Sequence, residues 1–163
     1  MKKIIIVRHS KSSWKDLSLS DFHRPLNNRG KTDGPLMSKY LSNTMDNIDI
    51  LHSSSSLRTF ETSKFFRLNI EFKNINYDDN LYHCSANSIL SFIKNYPNQY
   101  NSAMIIAHNP GLTNFINLIT NITLDNLPTT GIAVIDFDCN GWNNISIENC
   151  NLIDLKFPKQ LAN

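Results

Sequence analysis

Short apolar runs alternate along this chain with segments whose apolar residues recur at the period of a helix. The clearest runs are IIIV at residues 4–7, AMIIA at 103–107 and GIAVIDF at 131–137, and each has the length of a buried strand. Such alternation is typical of an α/β fold with a largely parallel sheet. We therefore expect three layers, in which helices cover both faces of a central sheet.

The expected strands and helices follow one another through most of the chain. Strands are predicted at residues 3–7, 48–51, 75–77 and 104–107, and helices at 28–41, 57–68, 87–95 and 112–119. In the tail, residues 131–138 and 145–153 alternate in polarity. They predict an antiparallel hairpin or edge strands around a turn at Asn140 and Gly141.

Two segments next to the expected helices carry local signals. Asn27 or Asn28 is a suitable cap for the first helix, and Gly34 with Pro35 is expected to make its early part irregular. The four serines at 53–56 separate the second strand from the second helix and predict a polar turn.

The length and the composition suit one globular domain. A chain of 163 residues with 40% hydrophobic residues provides one sizeable core, so we expect a single domain over residues 1–163. Lys and Arg number 16 against 14 Asp and Glu, a charge too balanced for nucleic acid to be the default partner. No apolar run approaches the roughly 20 residues of a membrane helix. We expect a cytoplasmic monomer that binds neither nucleic acid nor a membrane.

The three cysteines, Cys84, Cys139 and Cys150, are odd in number and show no CxxC spacing. This pattern indicates neither a disulfide framework nor a zinc site, and it fits a reducing compartment.

Basic or imidazole side chains follow three of the expected strands. Arg8 and His9 come after the first strand, Arg58 after the second, and His108 after the strand AMIIA. The carboxyl ends of strands in an open parallel sheet line one edge, where ligand crevices form. We therefore expect these four side chains to converge, although they are far apart in the sequence.

Two guanidinium groups and two imidazoles in one pocket would repel one another unless an anion normally lies among them. Phosphate fits, because arginine presents a planar fork that meets phosphate oxygens bidentately. A neutral imidazole is also a competent nucleophile toward phosphorus near pH 7. Taken singly, each residue has an ordinary structural explanation. Their shared position at strand ends favours a phosphate site.

At the first of these positions, VRHSKSSW resembles the RHG-type signature of the histidine phosphatase superfamily, which includes the cofactor-dependent phosphoglycerate mutases. The stretches SDFHRPLNNRGK, SSSSLRTFETS, AHNPGL and LPTTGIA, together with Trp142, are similar to the small SixA-type phosphohistidine phosphatases. This resemblance covers nearly the whole chain, and it implies a phosphoglycerate mutase-like fold.

The resemblance also implies roles for the four residues. His9 would be the nucleophile that forms a phosphohistidine intermediate, and His108 would act with it in catalysis. Arg8 and Arg58 would hold the phosphate oxygens in the transition state, together with His108. No metal or other cofactor is implied.

Two positions depart from the pattern of the family. Ser10 stands where many members have glycine and the SixA-like ones often have alanine, and its hydroxyl has no evident purpose in the sequence. Lys15 stands where mutase-like relatives commonly have asparagine, which argues against the mutase branch.

A general acid is hard to find in the sequence. Hydrolysis of a sugar or alkyl phosphate expels a poor leaving group and needs an acid, usually a carboxyl. The larger relatives place a glutamate in the segment that corresponds to residues 74–84, where Asp78 and Asp79 are the only carboxylates and His83 is a weaker candidate. Without an acid the substrate should carry a leaving group that departs unaided, as the imidazole of phosphohistidine does. The short chain also leaves little material for a lid, which suits a phosphate displayed on a protein.

Three functions remain open from the sequence. The leading one is a metal-independent phosphatase that works through phospho-His9, most plausibly on phosphohistidine in a protein partner of the phosphotransfer type. The second is a phosphomonoesterase for a small phosphorylated substrate, with Asp78 or Asp79 as general acid. The third, of another class, is a phosphate-binding module without turnover.

Overall fold

The computed structural model describes residues 1–162 and contains six strands among them. They are β1 (Lys2–Arg8), β2 (Asn47–Ser54), β3 (Glu71–Asp78), β4 (Ser102–Ala107), β5 (Ile132–Phe137) and β6 (Cys150–Lys156). One sheet holds them in the order β3-β2-β4-β1-β5-β6. The first four are mutually parallel, and β5 is antiparallel to both of its neighbours. The α/β fold with a largely parallel sheet is confirmed.

Within the described residues five α-helices flank the sheet. They are α1 (Asn28–Ser42), α2 (Leu57–Asn69), α3 (Ala86–Lys94), α4 (Gly111–Ile119) and the short α5 (Pro158–Leu161). α1 packs against α2, and α3 packs against α4. No helix within residues 1–162 is long and apolar enough to cross a membrane.

β1 lies in the interior of the sheet and is buried on both faces. Ile4 and Ile6 belong to the hydrophobic core that includes residues of α3 and α4, and Ile5 and Val7 belong to the core beneath α1 and α2. All four side chains are fully buried. The continuous run IIIV is therefore explained by helices on both faces, because successive residues of a strand point to opposite sides.

The tail differs from the predicted hairpin. β5 and β6 do pair in antiparallel fashion, but β6 begins at Cys150 and not at residue 145. The intervening chain forms two 3-10 turns, Trp142–Asn144 and Ile147–Asn149. Trp142 is fully buried, and its indole Nε1 donates to the Tyr100 carbonyl at 2.7 Å. Burial of this large side chain holds the segment on the core and delays the strand.

The first helix also differs in one respect. Asn27 caps α1, since its side-chain oxygen accepts from the Gly30 amide at 2.9 Å. The predicted irregularity at Gly34 and Pro35 is wrong, because α1 continues through both. A side chain on Gly34 would collide with the ring of Phe65 on α2. The glycine therefore serves the close packing of two helices and not a break.

The second strand is longer than predicted. Ser53 and Ser54 belong to β2 and pair with Tyr77 and Asp78 of β3, so only the last two serines of the run form the turn into α2. Pairing between strands overrides the turn preference of serine here.

Candidate active site

One cleft of about 270 Å³ lies at the carboxyl ends of β1 and β4, beside the start of α2. Arg8 ends β1 and His9 follows it, His108 follows β4, and Arg58 lies in the first turn of α2. All four line the cleft. The convergence predicted from the strand ends is present. The roles of the four residues stay predictions.

A larger cavity of about 760 Å³ lies elsewhere, between His52 and α3. Its lining holds amide, hydroxyl and aromatic side chains, and no arginine or lysine. Volume alone therefore does not mark the site for an anion; the charge of the smaller cleft does.

Arg58 is the centre of the cleft. Its Nε donates to His9 Nε2 at 3.3 Å, and its Nη2 donates to His108 Nδ1 at 3.3 Å. On its other side it donates to the Asp21 carbonyl and carboxylate, at 2.6 and 3.0 Å. Only 3% of Arg58 is exposed. One guanidinium therefore orients both imidazoles.

These partners define the tautomer of His9. Its Nδ1 lies 2.7 Å from the Ser10 carbonyl, which can only accept, so Nδ1 carries the hydrogen. Its Nε2 faces a guanidinium, which can only donate, so Nε2 carries a lone pair. A lone pair on Nε2 that opens into a cationic cleft is what a nucleophile toward phosphorus requires.

His108 has the opposite tautomer. Its Nδ1 accepts from Arg58, so the hydrogen lies on Nε2, which is 2.9 Å from the Ser54 hydroxyl. The two rings lie with their centroids 5.2 Å apart, so one small tetrahedral anion can contact both. β2, through Ser54, thus positions a histidine that follows β4.

Both histidines are neutral in the folded chain at ordinary pH. Burial, above all, lowers the pKa of His9 to about 3, and the charges of Arg58 and Arg8 lower it further, against the hydrogen bond to the Ser10 carbonyl. Burial likewise lowers the pKa of His108 to about 2, with contributions from His9 and Arg58. His9 is therefore ready to attack without first losing a proton.

We expect these neutral histidines to make the protein sensitive to acid. The unfolded chain binds protons on these residues below about pH 6.5, whereas the folded chain does so only near pH 2–3. Stability is thus complete above about pH 6.5 and falls as the pH drops. Between about pH 7.5 and about pH 5 each histidine should remove roughly 2 kcal/mol from the free energy of unfolding, as measured in urea.

The variant His108→Asn provides the check, because asparagine does not titrate. Over the same pH interval its free energy of unfolding should fall by roughly 2 kcal/mol less than that of the wild type. Equal pH dependence in the variant and the wild type would contradict the neutral, buried His108.

Arg8 presents an unpaired donor. Its Nη1 donates to the Leu127 carbonyl at 2.9 Å, but its buried Nε has no hydrogen-bond partner among residues 1–162. A buried donor without a partner costs about 1–3 kcal/mol. Burial and the charge of Arg58 lower the pKa of Arg8, which a bound anion would oppose. An oxyanion in the cleft would accept a hydrogen bond from Arg8 Nε and offset the positive charge of the guanidinium.

Asp21 is a site residue that the sequence reasoning missed. It begins a 3-10 turn, lines the cleft, and accepts hydrogen bonds from Arg58, Arg24 and the Tyr82 hydroxyl. Burial alone would raise the pKa of its carboxyl, but the bonds from Tyr82, Arg58 and Arg24 hold the pKa well below its usual range. Asp21 is thus an anion at neutral pH and orients Arg58. It cannot act as a carboxylic acid.

Asp78 and Asp79, the predicted candidates for a general acid, lie outside the cleft. Asp78 accepts from the Asn80 amide at 2.8 Å and caps a short 3-10 turn, and Asp79 accepts from the Ser55 hydroxyl. Both carboxylates are engaged in local turn structure. This placement does not favour either carboxylate as the general acid.

Ser10 has a structural role that its hydroxyl explains. The Thr130 hydroxyl donates to Ser10 Oγ at 2.8 Å, and the Ser10 amide donates to Thr62 Oγ1 at 2.9 Å. The Thr130 amide in turn contacts the carbonyls of Arg8 and His9, with Thr130 at φ 59°, an uncommon conformation for a β-branched residue. These contacts fix the backbone that carries His9. The sequence offered LPTTGIA as a similarity, but no role for Thr130.

The rim of the cleft combines basic, aromatic and polar groups: Lys11, Ser12, Trp14, Arg24, His83, Asn109 and Thr129. The buried Arg24 guanidinium lies 3.6 Å from the ring centroid of Trp14 and donates to Ser12 Oγ at 2.7 Å. Arg29 pairs with Asp33 one helical turn away. Arg24 and Arg29 are thus both engaged in local structural contacts.

No family model matches the chain. An uncharacterised chloroplastic protein of Arabidopsis thaliana is 26% identical to it over 151 residues, which cover 86% of this chain and 69% of the plant protein.

Several solved structures share the architecture. A candidate phosphohistidine phosphatase SixA from Agrobacterium tumefaciens matches with a TM-score of 0.82 at 24% identity, over 96% of this chain and 98% of that one. The protein histidine phosphatase SixA in complex with tungstate matches with a TM-score of 0.80 at 19% identity, over 98% and 99%. A phosphoserine phosphatase from Entamoeba histolytica, in complex with 3-phosphoglyceric acid, matches with a TM-score of 0.67 at 15% identity, over 99% and 100%. This chain therefore has the phosphoglycerate mutase-like fold of these structures, which the motifs around Arg8, Arg58 and His108 led us to expect.

Proposed function

We propose that this chain is a phosphatase that works through a phosphohistidine intermediate on His9 and acts on phosphohistidine in a protein. The observation that carries the proposal is the lone pair of His9 Nε2, held by Arg58 in a cleft that Arg8 and His108 also line. That both SixA structures share this fold supports it, and one of them holds tungstate, a tetrahedral oxyanion.

The first step is attack of His9 Nε2 on phosphorus. In the structure Arg58 donates to His9 and His108, and Arg8 donates to the Leu127 carbonyl. A phosphoryl group that enters the cleft offers its oxygens to both guanidinium groups. Charge-assisted bonds to these oxygens stabilise the transition state, and they strengthen as the cleft loses water. The bond between His9 and phosphorus forms as the bond to the leaving group breaks.

The second step is hydrolysis. Water attacks the same phosphorus from the face that the leaving group vacated, the bond to His9 Nε2 breaks, and inorganic phosphate leaves. The low pKa of His9 favours its departure as a neutral imidazole.

The chemistry of the cleft favours a substrate with a good leaving group. Asp21 is the only carboxyl among the described residues that line it, and hydrogen bonds keep that carboxyl ionised. An alkoxide cannot leave without an acid of suitable strength, whereas the imidazole of phosphohistidine leaves readily. The preference for phosphohistidine over a sugar phosphate therefore follows from the chemistry of the leaving group and not from the fold.

The surface beside the cleft suits a protein partner. The loop that follows β1 exposes Trp14 by 66% and Leu17 by 85%, and Leu19 is partly exposed on the same loop. Trp14 also lines the cleft. An exposed tryptophan at the edge of a site, on a loop with further exposed apolar side chains, is typical of protein contacts, in which tryptophan is often a major anchor.

A comparison of leaving groups tests the proposal. We expect kcat/KM on a phosphohistidine peptide to exceed that on glycerol phosphate by about 10³-fold, because no acid assists the alkoxide. Stopped assays of phosphate release measure both. Asp78→Asn is the matched control and should change neither value, since Asp78 caps a turn outside the cleft.

The small-molecule phosphomonoesterase is the competing outcome. Rapid hydrolysis of glycerol phosphate that depends on Asp78 or Asp79, with phosphohistidine left intact, would replace our proposal by that alternative. Tight binding of phosphate without any turnover would replace it by a binding module.

A further inference from the structure

His83 is held at the mouth of the cleft in an unusual backbone conformation. It lies between β3 and α3, lines the cleft, and exposes 55% of its side chain. Its φ of 54° is in the left-handed region, which is unfavourable for a residue with a side chain. Such conformations persist only where surrounding contacts impose them, and they cluster at functional sites.

The contacts of His83 connect it to the phosphate cleft. Its Nε2 lies 3.3 Å from Asp21 Oδ2, the carboxylate that also accepts from Arg58. Its ring lies with its centroid 3.9 Å from that of Tyr82 and 5.5 Å from that of His108. Asp21 faces Nε2, which leaves Nδ1 to exchange a proton.

The position of His83 relative to the nucleophile is the important point. His9 lies at the floor of the cleft, only 8% exposed, whereas His83 is at the mouth. In an in-line displacement the leaving group departs opposite the attacking atom. A phosphoryl group bound over His9 therefore directs its leaving group outward, toward the end of the cleft where His83 lies.

We propose that His83, oriented by Asp21, transfers the proton in both steps of the reaction proposed above, on which this inference rests. In the first step protonated His83 gives its proton to the ring of the leaving histidine as the phosphorus–nitrogen bond breaks, so that a neutral imidazole departs. In the second step neutral His83 takes a proton from the attacking water, and the bond between phosphorus and His9 breaks. The side chain ends the cycle protonated, as it began.

This assignment also accounts for the absence of a carboxylic acid in the cleft. Donor and acceptor are both imidazoles, so the proton passes between chemically similar groups, which is the favourable condition for acid–base catalysis. An alkoxide leaving group holds a proton far more strongly and is poorly matched to such a donor. His83 thus selects phosphohistidine over alkyl phosphates.

The variant His83→Asn tests the inference, because asparagine tolerates the left-handed conformation and keeps a polar group. Two donors are compared in rapid-quench measurements of phosphoenzyme formation: phosphoimidazole, whose leaving group takes up a proton, and p-nitrophenyl phosphate, whose leaving group departs as an anion. We expect a loss of about 10²-fold with phosphoimidazole and less than about 3-fold with p-nitrophenyl phosphate. The matched control is His23→Asn, an exposed histidine outside the cleft lining, which should change neither rate.

The pH dependence gives a second readout. The wild-type rate with phosphoimidazole should depend on pH through the proton that His83 transfers, in a site where Asp21, Tyr82, His108 and Arg58 are the charged or titratable neighbours. The variant should lose that dependence.

Each other outcome is decisive. If His83→Asn lost the same factor with both donors, or lost nothing, the role of His83 would be overturned. The proposed function would still stand, provided that the donors phosphorylate the wild type. A wild type that neither donor phosphorylates would overturn the proposed function, and this inference with it.

Discussion

The variant His9→Asn should lose turnover by about 10⁴-fold or more and form no phosphoenzyme. Asparagine can replace the hydrogen bond from Nδ1 to the Ser10 carbonyl, but it has no lone pair that attacks phosphorus. The loss should therefore lie in kcat, while Arg8, Arg58 and His108, the proposed phosphate ligands, still bind substrate. Steady-state kinetics on a phosphohistidine peptide, with rapid quench for the intermediate, measure both quantities.

His52→Asn is the matched control. His52 lies on β2 outside the cleft, where its Nδ1 is 2.9 Å from the Tyr96 hydroxyl. Its replacement removes a partly buried imidazole without touching the nucleophile, so the phosphoenzyme should still form. Retention of more than about a tenth of the wild-type kcat in His9→Asn would exclude His9 as the nucleophile.

Arg58→Lys should lower kcat/KM by about 10²–10³-fold. The guanidinium reaches His9, His108 and both acceptors of Asp21 from three nitrogens, and a single ammonium cannot occupy these positions together. The charge is preserved, so the loss reports geometry. Titration with tungstate should show weaker binding of the oxyanion in parallel.

Arg67→Lys is the matched control on the same helix. Arg67 lies in the last turn of α2, outside the cleft lining, and donates a hydrogen bond to the Tyr77 hydroxyl at 3.4 Å. It should leave kcat/KM within about 2-fold of the wild type, because surface substitutions away from a site have small effects. Wild-type kinetics in Arg58→Lys would mean that the bidentate geometry is irrelevant to the reaction.

The sheet and the four convergent residues could be predicted because their signals are local. IIIV and AMIIA are continuous apolar runs, since both faces of their strands are covered, and such runs are the strongest sign of an interior parallel strand. Arg8, His9 and His108 come directly after these strands, where the topology places a crevice. The convergence of these residues can therefore be predicted without knowing any side-chain contact.

Asp21 and Thr130 could not be found in the same way, and His83 was named only as a weaker candidate for the general acid. Asp21 belongs to a loop without periodicity, and it reaches the site only because it pairs with Arg58 on a distant helix. His83 and Thr130 owe their positions to left-handed backbone conformations that tertiary contacts impose. Trp142 likewise redirected the tail through burial, which strand periodicity does not register. At such positions long-range packing overrides the intrinsic preference of a residue for helix or strand.

Mass spectrometry of the protein after brief reaction with a phosphohistidine donor, quenched in alkali and digested, tests the central claim most directly. Our account predicts one phosphoryl group, on the peptide that contains Arg8 and His9, attached to the imidazole of His9. A phosphoryl group on any other residue, or rapid turnover with none on His9, would contradict it.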